Sequence, residues 1–217
     1  MHYALQLQTS PSVYGKSEGL GEWVRQWPLL HNQVESDFTV LLMNLVDHLV
    51  EIGFPWVCEQ RNVHIARARP LSAEEKRVLQ GYYNQQILDT VRVRAVECIQ
   101  NPWFYEELRA SGIPTLDISG AAGIAFIDCV VVRKNFQQGS PSWNSVLFHE
   151  LVHVTQLETL GVRRYLQLYL RDWIENGYQH HNVSLEIQAR ELEGRFNRHE
   201  PLFVVREIVE SELRDRM

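Results

Sequence analysis

The chain predicts an α+β fold, a small mixed sheet with helices packed on it, and three observations predict it. Two segments carry strand patterning. Thr90 to Glu97 sets Val91, Val93 and Ala95 against Arg92, Arg94 and Val96, and Ala125 to Val132 is a nearly unbroken apolar run rich in β-branched residues. Several longer segments repeat apolar residues every three or four positions, the period of a helix with one buried face. With 45% hydrophobic residues in 217, there is enough apolar surface for one well-packed domain, and no repeat or low-complexity tract points elsewhere.

In chain order, His2 to Gln8 places Tyr3, Leu5 and Leu7 on one side, as a short strand does, and Pro11 to Gly21 reads as loop. A helix is expected from about Ser36 to Gly53. Asn44, Asp47, His48 and Glu51 interrupt its apolar run, so it is amphipathic and not a membrane span. Ser72-Ala73-Glu74-Glu75 is a capping box, two side chains closing two orphan N–H groups, and starts a helix running to about Leu88. Asn101-Pro102 opens a short helix that Gly112 closes, and Gly120 to Gly123 is a small-residue turn. Ser140 before Pro141 is an N-cap with proline in the first helical position, where a missing N–H costs nothing. The helix it starts has Val146, Leu147, Leu151, Val152 and Val154 as an apolar stripe and Gly161 as its stop. A second amphipathic helix, with Tyr165, Leu166, Tyr169 and Trp173, ends near Gly177. The polar loop Tyr178 to Val183 follows, and Ser184 caps a helix bearing Glu186, Ala189 and Glu193. Residues 1–75 carry no chemical motif and read as an N-terminal segment packed on the core; residues 76–217 form the main domain.

The helix after Pro141 carries the sequence His149-Glu150-Leu151-Val152-His153, an H-E-x-x-H motif. Histidines four apart share a helix face, so two neutral imidazoles can occupy two corners of a zinc tetrahedron, while the glutamate beside the first can act as general base toward a water there. A third ligand is needed. Gln156 and Thr159 stand where an extended metzincin pattern requires glycine and histidine, which excludes that pattern. Glu158 follows His153 by five residues, about 140° round the helix, and points elsewhere. The residues alone leave Glu175, His180, His181, Glu186, Glu191 and Glu193 as candidates.

His149, Glu150 and His153, followed by Glu186 with Ala189 three residues on, resemble the gluzincin family of zinc metallopeptidases, in particular small bacterial proteins with an H-E-L-x-H motif. The resemblance covers roughly residues 90–197; Val183-Ser184 stands where those proteins have Asn-Pro. It implies a zincin-like fold with an edge strand above the metal, a place that Ala125 to Val132 suits, although its continuous apolar character also suits a central, fully paired strand. It implies Glu186 as third ligand, Zn2+ as cofactor, Glu150 as base and a peptide or protein as substrate. For the donor that steadies a developing oxyanion, Tyr178 is the first candidate, with His180 and His181 next. Two other functions are compatible with these residues: a catalytically idle zincin serving as a binding or regulatory module, and a zinc hydrolase acting on a non-peptide substrate.

A net charge of −6 and a pI near 5.8, with no Lys/Arg cluster, argue against a nucleic-acid partner. Residues 1–10 lack the basic-then-apolar order of a secretory signal, and Cys58, Cys98 and Cys129 are odd in number and widely spaced. Both features fit a reducing, cytoplasmic setting.

Overall fold

The computed structural model describes residues 20–214, with side chains from residue 40 onward except residue 41. The strand expected at His2 to Gln8 lies outside the described residues, as does most of the expected loop; Leu20 and Gly21 are already helical. The chain divides into two compact units, residues 1–42 and 43–217, and the packing described below lies in the second.

The observed class is mixed α+β. Helix α1 spans Leu20–Ile65, far longer than the expected Ser36–Gly53. Gly53 and Pro55 weaken a helix by about 1 and 3 kcal/mol. Contacts beyond them outweigh that cost: Trp56 and Val57 pack into apolar clusters, and Arg61 holds Asp128 through two 2.7 Å bonds. Strand β1 (Arg69–Pro70) leads to the capping box, which forms as expected, but the helix after it breaks in two. Helix α2 (Ala73–Leu79) ends before Gly81 at φ 92°, and α3 (Gln85–Thr90) restarts under its own cap, with Asn84 Oδ1 accepting from the Ile87 N–H at 2.9 Å. Strand β2 (Arg92–Val96) and helix α4 (Tyr105–Ala110) lie where the patterning puts them.

The apolar run Ala125 to Val132 is not one strand. It folds back as a hairpin, β3 (Gly123–Phe126) against β4 (Cys129–Arg133), through Ile127 and Asp128. Ile127 sits at φ 62°, a conformation costly for a β-branched residue. No Asn-Gly or Gly marks the turn in the sequence; the Arg61–Asp128 ion pair, a tertiary contact, pins it. Sheet order is β1-β2-β4-β3, with β2 and β4 parallel and both outer pairings antiparallel. Among the described residues, β3 is thus at the edge of the sheet and β4 is central. Cys129, Val130, Val131 and Val132 are fully buried because both faces of β4 are covered. Val130 and Val132 face the main cluster with Leu147, Leu151 and Leu185, while Val131 faces Val57, Val96 and Phe126.

Helix α5 (Pro141–Leu160) crosses the main core, capped by Ser140 Oγ, which accepts from the Trp143 N–H at 3.2 Å, and closed at Gly161 with φ 74°. Helix α6 (Val162–Glu175) and a short 3₁₀ turn, His180–Asn182, lead to α7 (Ser184–Asn197) and α8 (Val205–Leu213). Ser184 is not the cap of α7, as the sequence suggests; Val183 holds that position. The Ser184 N–H (3.0 Å) and hydroxyl both donate to Asp172 Oδ2, tying α7 to α6 instead. Fully buried Ala189 lies on α7, which packs along α5.

Candidate metal centre

Helix α5 places His149 and His153 one turn apart, and α7 carries Glu186 against them. His153 Nε2 lies 3.1 Å from His149 Nε2, and the Glu186 carboxylate oxygens lie 3.5 Å from each. Ligands about 2.05 Å from a tetrahedral zinc stand about 3.3 Å apart; the two imidazole nitrogens are near that spacing, and Glu186 approaches each with a different oxygen, Oε2 toward His149 and Oε1 toward His153. Among the described residues, this is the His/Cys/Asp/Glu group that could hold a metal ion. Glu186 and His153 are buried, and His149 nearly so.

The outer partners fix which ring nitrogens face inward. His149 Nδ1 is 3.1 Å from Glu193 Oε2, an acceptor, so Nδ1 carries the hydrogen and Nε2 presents its lone pair. Ser145 holds Glu193 by donating to its other oxygen at 2.5 Å. His153 Nδ1 is 2.8 Å from Gln156 Oε1, again an acceptor, with the Tyr165 hydroxyl a longer 3.3 Å away. Two lone pairs and a carboxylate aimed at one point repel unless a cation lies among them. The same geometry sets the protonation of the metal-free cluster. Burial opposes a charge on His149, yet Glu186 and Glu193 push its pKa up to about 10, and His153 also titrates high because Glu186 outweighs its burial. Burial opposes ionisation of Glu186 too, but the two imidazoles hold its carboxyl well below the usual carboxylate range.

Glu150 is buried beside the cluster, and burial raises its pKa, only partly countered by His149 and His153. Strand β3 presses directly on it. A Cβ on Gly123 would stand 2.9 Å from Glu150 Cγ and Oε1 and from Val146 Cγ1, closer than real Cβ atoms come, so only glycine fits without a shift. The cluster opens into a cavity of about 400 Å³ walled by all four residues of β3, by Trp56 and Val57 of α1, Tyr105 of α4, and Leu166 and Leu170 of α6. Tyr165, Tyr169 and His180 also line it. The Tyr169 hydroxyl lies 2.6 Å from His180 Nδ1 and donates to Glu186 Oε1 at 3.3 Å.

The structure thus brings His149, Glu150, His153 and Glu186 together, but not Tyr178. That residue sits at φ 63° with its ring packed edge-on against Trp173, 5.0 Å away, outside the cavity walls. His180 lines the cavity; His181 is exposed, Glu175 pairs with Arg171, and Glu158 pairs with Arg206 on α8. Tyr165 and Tyr169 were missed by the sequence reading, although their four-residue spacing on α6 puts them on one face. Trp56 carried no signal, since nothing local says that α1 reaches the cavity. No protein-family model, curated protein or solved structure matches the chain, so the centre stands on its own geometry.

Proposed function

We propose that the protein is a zinc-dependent hydrolase, most simply a peptidase, with His149, His153 and Glu186 as metal ligands and Glu150 as general base. The observation that carries this reading is the convergence of two imidazole nitrogens 3.1 Å apart with the Glu186 carboxylate, one oxygen 3.5 Å from each nitrogen, in the wall of a cavity that Glu150 also lines. Zinc held there supplies a Lewis acid, which acidifies water and polarises a carbonyl oxygen. Glu150 takes the proton of the attacking water and delivers it to the departing nitrogen, and its apolar surroundings favour the protonated state that the second half of that task requires. The candidate donors for the developing oxyanion are the cavity-lining Tyr165, Tyr169 and His180 rather than Tyr178.

Among the described residues β3 is at the edge of the sheet and lines the cavity, so an extended peptide can add there as a further strand and be read through its main chain. The wall of Trp56, Phe126, Leu166 and Leu170 suits a bulky apolar side chain next to the scissile bond. The test is a peptide library digested by zinc-loaded protein, with a chelator control and Glu150→Gln beside the parent. Chelator-sensitive cleavage that falls at least about a hundredfold in Glu150→Gln, with zinc retained, supports the assignment. Cleavage undiminished in Glu150→Gln removes the glutamate from the mechanism. Zinc binding without cleavage by either protein favours an idle zincin or a non-peptide substrate.

A further inference from the structure

His153 is supported by a chain of side chains reaching two helices away. Each link has one permitted direction. Gln156 is fully buried on α5, and its Nε2 lies 3.0 Å from the Leu185 carbonyl oxygen and 2.8 Å from Gln188 Oε1. A backbone carbonyl only accepts, so the amide NH₂ of Gln156 must face it, and Oε1 must face His153 Nδ1. Gln188 is oriented in the same way from its far end. Its Nε2 donates at 2.6 Å to Glu212 Oε2 of α8, a carboxylate that also only accepts, which leaves Gln188 Oε1 toward Gln156. Hydrogens therefore run one way along the chain, from His153 through Gln156 and Gln188 to the charge on Glu212. Reversing Gln188 would set its NH₂ against that of Gln156.

We propose that Gln156, Gln188 and Glu212 form a positioning relay that holds His153 with its Nε2 lone pair toward Glu186 and His149, so that helix α8 tunes metal affinity from outside the site. The proposal rests on His153 being a metal ligand, but not on hydrolysis. Two features favour a functional relay over ordinary core satisfaction. The chain ends on a charge, which polarises every bond before it, and its other end is a ligand atom's ring partner rather than a neutral group. His149 has its carboxylate directly, in Glu193; His153 reaches one only through two amides.

The test is zinc affinity, by competition with a chromophoric chelator, for the full chain and for Glu212→Gln, Gln156→Leu and the double variant. Gln156 and Glu212 do not touch, so independent structural effects should multiply, whereas a relay cut at Gln156 makes its far end irrelevant. Gln156→Leu should weaken zinc binding about 10- to 100-fold, the scale for losing an outer partner. Glu212→Gln, an exposed and shape-conserving change, should weaken it a few-fold, about the effect of one less polarised chain. The double variant should match Gln156→Leu alone. Parent affinity in Glu212→Gln, or the same few-fold loss with and without Gln156, overturns the relay while leaving the metal site standing. A parent chain that takes up no zinc overturns the site and the relay together. If Gln156→Leu does not fold, Gln188→Leu takes its place in the same cycle, with the same loss of the Glu212 effect expected.

Discussion

At the scale of single residues, the centre depends on groups whose chemistry the sequence displays and on others whose role is purely positional. His149, Glu150 and His153 were legible because helical periodicity is local: residues four apart must share a face. Glu186 emerged from a resemblance, and its placement rests on how α5 and α7 pack, which no spacing states. Glu186→Ala should weaken zinc binding by more than the roughly 10- to 100-fold that an outer partner is worth, whereas Glu158→Ala, which breaks only its pairing with Arg206, should leave it unchanged. Metal content after dialysis against a weak chelator separates the two. Gly123 was read only as part of a turn, yet a methyl group there collides with Glu150. Gly123→Ala should keep zinc but lower turnover by about tenfold or more, because an ångström of misplacement at a reacting group is expensive. Full turnover in this variant would show that β3 does not set the position of Glu150.

At the scale of elements, α5 was legible from its caps, whereas the break between α2 and α3 and the elements bounded by tertiary contacts were not. The limits of α5 follow from Ser140, Pro141 and Gly161 alone. The hairpin β3–β4 and the extension of α1 depend on the pair Arg61–Asp128, two residues 67 positions apart that no local pattern joins. The capping box is a second such device. Glu75 closes its own helix through the Ser72 N–H at 2.7 Å, accepts two 2.7 Å bonds from Arg69, and takes the Trp143 indole N–H at 2.8 Å, so one buried carboxylate links β1, α2 and α5. Burial opposes its ionisation, but Arg69 and Ser72 outweigh burial and hold its pKa below 4.5. A carboxyl depressed in the folded state stabilises the fold fully above its unfolded pKa and loses that contribution as pH falls through the folded value. Glu75→Gln should therefore cost about 1–3 kcal/mol at neutral pH, and the gap from the parent should shrink as the pH drops below 4.5. Urea midpoints at several pH values read this directly, and a gap that widens on acidification contradicts the assignment.

At the scale of the whole molecule, metal binding at this centre would be coupled to folding, because the three candidate ligands come from two helices that meet only when the core forms. Zinc at a hundred times its dissociation constant should add about 2.7 kcal/mol, a rise of roughly 5–10 °C in Tm for a chain of this size, reversed by chelator. An unchanged Tm would mean that zinc binds the unfolded chain as well as the folded one. The wall supplied by α1 makes a separate statement: Trp56→Ala should raise KM for substrates with a bulky apolar residue and spare those without one, read as a split between two peptide series. The doubly covered strand β4 carries a consequence of another kind. Its Cys129 is fully shielded and its thiol is pushed up to about 11 by burial, whereas Cys98 is exposed and Cys58 half-buried. An alkylating reagent will meet Cys98 at once but Cys129 only when the sheet comes apart, so mass spectrometry of the Cys129 peptide is a clock for global opening, built into the chain and readable without an engineered probe.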